Sequence, residues 1–127
     1  MTRKHIAVRI MNDGIEGFFK RSRARAKKMD RRVPLAPEII INFPDAPSLL
    51  RVLSYQRVKL LKATKAGARS LDALASGLKR NKSAVNRDIQ LLESCGLLRT
   101  HYEKNPGHGK YKVVEPVAQS YELVAKI

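Results

Sequence analysis

The spacing of apolar and polar residues changes character near residue 44. Before that point, HIAVRIM (residues 5–11) and EIIINF (38–43) are rich in β-branched side chains and predict two short strands. The segment between them, GIEGFFKRSRARAKKMDRR (14–32), has the apolar spacing of a helix. Its large apolar residues are expected to point inward: Ile15, Phe18, Phe19 and Met29. The N-terminal segment therefore predicts a strand, a helix and a strand.

From Asp45 onward the apolar spacing predicts four helices with short connections. Side chains that can cap a helix N-terminus precede three of them: Ser54, Ser70 and Asn81. Gly67 and Gly96 are suited to end the second and the fourth helix. A short turn through residues 79–81 joins the last two helices. Two helices connected in this way are the elements of a helix-turn-helix.

The last predicted helix, residues 82–95, has one apolar and one polar face. At about 100° per residue, Val85, Ile89 and Leu92 share the apolar face. The outward groups suit the edges of bases in a DNA major groove, because Arg can bind guanine and Asn or Gln can bind adenine. We predict four base-reading residues: Ser83, Asn86, Arg87 and Gln90. An ordinary solvated face is the alternative, since every surface helix has one.

Two strand candidates, residues 97–102 and 110–114, follow this helix and are joined by a loop rich in Asn, Pro and Gly. A hairpin directly after a recognition helix is the wing of a winged helix, and we expect its tip to contact an adjacent minor groove or the DNA backbone. Basic residues near the helix start also suit phosphates, as do the free N–H groups of its first turn. The predicted backbone contacts are Arg69, Lys79, Arg80, Lys82, Lys104, His108 and Lys110.

The segment SLDALASGLKRNKSAVNRDIQLLESCGLL (70–98) resembles the winged helix-turn-helix of MarR-type and ArsR-type transcriptional regulators of bacteria and archaea. Over residues 38–117 the chain is similar to a family of small DNA-binding regulators first catalogued in haloarchaea. The matching residues are Phe43, Asp45, Leu50, Val52, Leu53, Ser54, Arg57, Leu60, Leu61, Ser70, Leu71, Leu74, Ala75, Leu78, Arg80, Val85, Asp88, Leu92, Gly96, Leu97 and Pro116. Members of that family often resemble antitoxins of two-gene operons, including TumE-type pairs, so the resemblance also implies a cognate toxin as a protein partner.

The charge of the chain favours a polyanionic partner. Its 127 residues include 26 Lys and Arg against 11 Asp and Glu, a formal net charge of +15. So large an excess indicates nucleic acid ahead of an anionic membrane. About half of the excess lies in residues 1–32, which hold 11 basic and 3 acidic residues. No segment has the length of a membrane span or the apolar core of a signal peptide, so we expect a cytoplasmic protein without a membrane partner.

The sequence contains few of the residue patterns that are typical of an enzyme active site. The three histidines, His5, His101 and His108, share no metal-ligand spacing. The chain also lacks a phosphate-binding glycine loop, a nucleophile elbow and a pair of carboxylates at helical spacing. The single cysteine, Cys95, excludes an internal disulfide. We therefore expect no catalytic activity, no metal and no cofactor.

These signals predict an α+β fold, a winged helix-turn-helix with a basic N-terminal β-α-β extension. We place the extension, a candidate dimerisation arm, at residues 1–43, the DNA-binding domain at 44–116 and a C-terminal segment at 117–127. That segment alternates apolar and polar residues like the first strand, so it can pair with that strand in its own or a partner subunit. A tail that lies along DNA is the other interpretation of the extension.

The function that we expect is that of a homodimeric, sequence-specific regulator that binds double-stranded DNA and represses transcription. Two-fold symmetry would let two recognition helices bind half-sites about one turn apart. One alternative is an antitoxin that neutralises a toxin by protein binding and autoregulates its operon. A second alternative is a protein that binds structured RNA, which would prefer an A-form duplex or loops.

Overall fold

The computed structural model describes residues 7–34, 38–107 and 109–127. Its elements in chain order are β1 (Ala7–Met11), α1 (Gly14–Asp30), β2 (Glu38–Asn42), α2 (Ala46–Val52), α3 (Tyr55–Thr64), β3 (Arg69–Ser70), α4 (Leu71–Leu78), α5 (Lys82–Ser94), β4 (Leu98–Asn105), β5 (Gly109–Pro116) and β6 (Ser120–Leu123). The chain divides into two compact units. The first unit comprises Met1–Arg51 and Ala118–Ile127, and the second comprises Val52–Val117.

A parallel three-stranded sheet in the order β2-β1-β6 forms the first unit's framework. The central strand, β1, aligns Val8 with Ile39 on one side and with Tyr121 on the other. Aligned residues share a face of a parallel sheet, so apolar side chains of all three strands lie together on the face that contains Val8 and Ile10, both fully buried. The C-terminal strand thus pairs with β1 of its own chain, in parallel orientation.

The helix of the first unit, α1, is attached by polar contacts. Within the helix, an ion pair joins Arg21 Nη1 to Oδ2 of Asp13, the residue before the first turn, and both side chains are mostly buried. Farther along, Arg25 Nη1 lies 3.3 Å from Glu38 Oε1 on β2. Gly17 gives the Asp13 carboxylate its space, because a Cβ built at Gly17 would overlap that carboxylate. The half-buried edge of the helix is therefore its Gly and Arg side.

The prediction that the large apolar residues of α1 point inward is wrong for the single chain. None of the helix residues is buried, and these four are exposed: Ile15 74%, Phe18 56%, Phe19 52% and Met29 66%. Apolar spacing identifies the residues that share a helix face, but it does not say what that face contacts. In this chain the ion pair of Arg25 with Glu38 on β2 orients the neighbouring edge of the helix, and not the stripe, toward the sheet.

The second unit is a winged helix-turn-helix, as the sequence predicted. After α3, the helices α4 and α5 are followed by the antiparallel hairpin β4-β5, with β3 on the other side of β5. The predicted caps are confirmed: Ser54 Oγ accepts from Arg57 N, Ser70 Oγ from Ala73 N, and Asn81 Oδ1 from Ser83 N. The fully buried core residues are Leu60, Leu74, Val85, Ile89, Leu92, Leu97, Leu98 and Val114.

The hairpin is longer than the sequence predicted. Its register runs from the pair Leu98 and Pro116 to the pair Asn105 and Gly109, so it projects eight residues on each strand. The projecting part is exposed and polar, and alternating polar residues carry no burial signal from which its length could be predicted. Within the described ranges, none of the helices has both the length and the apolar character that a membrane crossing requires.

Candidate nucleic-acid interface

The turn between α4 and α5 is held by backbone geometry. Lys79 ends α4 in the left-handed region at φ 54°, and its N–H donates to the carbonyl groups of Ala75 and Ser76. The N–H of Arg80 also donates to Ala75 O, at 3.0 Å. The chain then enters α5 directly through the Asn81 cap. These bonds satisfy the last carbonyls of α4 and fix where α5 begins.

A three-residue ion-pair cluster connects α5 to the elements before it. Asp88 on α5 accepts from Arg57 Nε of α3 at 3.1 Å and from Arg80 Nη1 of the turn at 2.8 Å. The Asp88 side chain is only 13% exposed, while Arg57 and Arg80 are 23% and 21% exposed. The cluster therefore joins α3, the turn and α5 in a partly desolvated site, where such bonds are stronger than on an open surface.

The outward face of α5 holds the predicted base-reading residues in two different settings. Ser83, Arg87 and Gln90 are exposed, at i, i+4 and i+7, opposite the buried residues of the helix. Asn86 is half-buried, and its Oδ1 accepts from Lys112 Nζ of β5 at 2.9 Å. Among the described residues, Arg87 makes no ion pair, so its guanidinium is available to a ligand.

The wing has one basic face. Because opposed residues of antiparallel strands point to the same side, Lys104 lies beside Lys110, and Tyr102 beside Lys112. Lys112 reaches Asn86, so this is the face that continues from α5. Two lysines directly opposed on a hairpin repel each other, which costs the free hairpin stability. A bound anion between them would remove that cost.

A cleft of about 380 Å³ lies where this face of the wing meets the helices. Its polar lining comes from the first turn of α4, the N-terminal half of α5 and the wing, and the lining includes Lys82, Asn86, Tyr102, Lys110 and Lys112. At its edge Lys82 Nζ lies 2.7 Å from Asp72 Oδ1, but both side chains are at least 60% exposed. An exposed pair of this kind contributes little, so Lys82 can exchange Asp72 for a phosphate.

The opposite face of the wing carries two carboxylates that are hydrogen-bonded to neighbours on the same face. His101 Nε2 lies 3.0 Å from Glu103 Oε1, and His101 Nδ1 lies 2.7 Å from Glu115 Oε1. The hydrogen bond with Glu103, together with the charge of Glu115, raises the pKa of His101 above 6.5. Tyr111 donates to Glu103 at 2.6 Å, which lowers the pKa of that carboxyl and raises the pKa of Tyr111. Sequence reasoning missed this cluster, because it forms only when the two strands pair in this register.

The structure brings together some of the predicted backbone contacts and separates others. Lys82 and Lys110 line the same cleft, and Lys104 opposes Lys110. Arg69 on β3 and Lys79 in the turn are exposed. Arg80 is different, since its guanidinium is bonded to Asp88. His108 lies outside the described residues.

Sequence reasoning missed several residues of the cleft, and these include Tyr102 and Lys112. The signal for Lys112 is its alternation with Lys110 along one strand, which places both side chains on one face. Tyr102 is 63% exposed beside Lys112. No cluster of three or more His, Cys, Asp or Glu side chains that could hold a metal occurs in the part of the chain that the structure describes.

Comparisons with known proteins concern mainly the second unit. The family model described as HVO_A0114 matches residues 52–116, and no curated protein matches the chain. A solved structure described as a possible transcriptional regulator from Methanosarcina mazei Go1 is 18% identical, with a TM-score of 0.49; the match covers 57% of this chain and 68% of that one. Another is the homodimeric winged helix-turn-helix DNA-binding domain of a possible ArsR-family transcriptional regulator from Mycobacterium bovis. It is 21% identical, with a TM-score of 0.45, and the match covers 54% of this chain and 60% of that one.

Proposed function

This chain belongs to the HVO_A0114 family, and from the arrangement of its second unit we propose that it is a dimeric, sequence-specific regulator that binds double-stranded DNA and represses transcription. The proposal rests on one observation, the continuous basic and hydrogen-bonding surface that the outward face of α5 forms with one face of the wing. On the wing, Lys104 and Lys110 are directly opposed.

The base-reading roles fall to the outward residues of α5. Arg87, which makes no ion pair with any residue that the structure describes, suits the two acceptors of guanine, and Gln90 suits adenine. Asn86 keeps its two N–H donors and a second lone pair on Oδ1 while it accepts from Lys112, so it can still bind adenine. Ser83, in the first turn, can bind either kind of base edge.

The backbone contacts form a band around these residues. Lys82 and Lys110 line the cleft. Lys112 lines it too, and we propose it as a further backbone contact. We retain Arg69, Lys79, Lys104 and His108 as backbone contacts. For Arg80 we propose a positioning role, because the bond with Asp88 uses its guanidinium to orient α5.

Titration with three duplexes tests the proposal: the upstream DNA of the chain's own gene, a scrambled DNA of equal length and an RNA duplex, each across a salt series. We expect about a thousandfold preference for the cognate DNA, within the range usual for specific sites. Equal affinity for the two DNAs, collapsing as salt rises, would contradict sequence-specific binding. Preference for the RNA duplex would instead indicate an RNA-binding protein.

Two arginine variants separate base reading from charge. Arg87→Ala is expected to cost ~1–3 kcal/mol on the cognate DNA and to leave affinity for scrambled DNA nearly unchanged. Arg99→Ala is the matched control, because Arg99 is also exposed but lies on the opposite face of the wing, aligned with Glu115. Equal losses on cognate and scrambled DNA would show that Arg87 does not read a base.

A further inference from the structure

We propose that two copies of this chain associate through α1, as an antiparallel helix pair whose two-fold axis passes beside Ser22. The inference deepens the proposed function, since it gives the dimer its interface and rests on that function for the expectation that a dimer exists. The observations on which it depends are the exposed apolar stripe of α1, the order of large and small residues along it, and the distribution of charge.

The stripe runs along the whole helix. At 100° per residue, one face of about 100° in width contains Ile15, Phe18, Phe19, Ser22, Ala26 and Met29. All six are exposed, and the four large ones keep more than half of their area in solvent. The half-buried edge of α1, with Arg21 and Arg25, borders this stripe on one side and is occupied by ion pairs. So large an apolar face on a helix is typical of an interaction surface.

The order of residue sizes along this stripe is self-complementary. Ser22 is the central residue of Gly14–Asp30, and the large residues lie at unequal positions around it. In an antiparallel pair centred on Ser22, Phe18 opposes Ala26 of the second copy, and Ile15 opposes Met29 of the second copy. The ring of Phe18 thus meets a small residue, as close packing requires, and the serines let the helix axes approach at the centre. The ring of Phe19 lies level with Arg25 of the second copy. A two-fold axis makes every such contact twice.

The charges favour this orientation over a parallel pair. Residues 13–22 hold two acidic and two basic residues, whereas residues 23–30 hold four basic and one acidic. An antiparallel pair places the neutral half of each helix beside the basic half of the other, with Glu16 near Lys27 of the second copy. A parallel pair would place the two basic halves side by side. Antiparallel helices also oppose their macrodipoles favourably.

Cysteine trapping tests the geometry on the full chain, in a Cys95→Ser background that removes the single native thiol. Ser22→Cys is expected to form a disulfide with its own copy under mild oxidation. Ile15→Cys and Met29→Cys are each expected to stay unlinked alone and to form a mixed disulfide when the two variants are combined. If Ile15→Cys or Met29→Cys alone links as readily as Ser22→Cys, the antiparallel arrangement is refuted.

Light scattering and sedimentation of the full chain test the surface. Phe18→Glu is expected to weaken the dimer by about a hundredfold or more, because two charges enter the apolar contact. Tyr55→Glu is the matched control, since Tyr55 is 74% exposed on α3 and lies outside the stripe. We also expect the wild-type dimer to tighten as salt screens its remaining basic charges, whereas a DNA complex would loosen. A dimer unaffected by Phe18→Glu would overturn the proposal.

The same variants distinguish failure of this inference from failure of the proposed function. A chain that is monomeric at all concentrations but prefers cognate DNA refutes the α1 pair and leaves DNA recognition intact. A dimer that forms the predicted disulfides but shows no preference for cognate DNA refutes the proposed regulator function and leaves the α1 interface intact. A monomer that instead forms a stoichiometric, Phe18-dependent complex with the product of the adjacent gene overturns self-association and indicates an antitoxin.

Discussion

Asp88 offers the sharpest test of how the second unit is held together. The variant Asp88→Asn keeps the shape of the side chain but removes the charge that pairs with both Arg57 and Arg80. A hydrogen bond to a charged group contributes about 1.5–3 kcal/mol, and removal of one partner from a buried pair costs ~3–5 kcal/mol. Because about a fifth of each arginine side chain is exposed, solvent screens part of this loss. We therefore expect a loss near the lower bound, ~2–3 kcal/mol.

Urea unfolding followed by circular dichroism measures this loss, and for a domain of this size it corresponds to a fall in Tm of roughly 10 °C. Asp72→Asn is the matched control, because it makes the same change in net charge at an ion pair whose two side chains are 60% and 67% exposed. That variant is expected to lose less than ~0.5 kcal/mol. If the two variants were equally stable, the Asp88 cluster would not be the structural connection that its geometry indicates.

Three further predictions concern the helix of the first unit and the wing. Gly17→Ala is expected to lower the free energy of unfolding by ~1–3 kcal/mol in urea titrations, although Ala usually favours a helix, because the added Cβ displaces the Asp13 carboxylate. Since carboxylates raise the pKa of His101 above 6.5, its contribution to stability is full below pH 6.5 and is lost as pH rises through the raised pKa. Hydrogen exchange of the wing should therefore lose protection with rising pH in the wild type but not in His101→Gln, and a parallel loss in both would contradict the assignment. Lys104→Ala is expected to stabilise the free chain by ~0.2–1 kcal/mol, by removing its repulsion with Lys110, and to reduce the salt slope of DNA binding by about 1; an unchanged salt slope would exclude a phosphate contact.

Local chemistry was sufficient to predict most of the second unit. Ser54, Ser70 and Asn81 cap their helices because a short polar side chain needs only the next turn of backbone as its partner. The apolar face of α5 was predicted for a similar reason, since Val85 and Ile89 lie one turn apart on a regular helix. Predictions of this kind depend on neighbours within four residues.

The predictions that failed or were missed depend on partners that are distant in sequence. The exposed stripe of α1 has the periodicity of a core face, and the ion pair of Arg25 with Glu38 shows which edge faces the sheet. Arg80 was predicted to contact a phosphate, but its guanidinium is bonded to Asp88. Lys112 became part of the candidate site only through the hairpin register that places it beside Asn86.

The pairing of β1 with β6 has a consequence for the order in which the chain folds. Ala7 aligns with Ser120, so the first unit's sheet joins strands that are more than a hundred residues apart in sequence. The second unit is continuous in sequence, and its ion pairs and hairpin contacts close much shorter loops. Loop length therefore favours formation of the unit that contains the wing before the parallel sheet. The parallel sheet closes last, so a variant that slows its closure would delay assembly without altering the recognition surface.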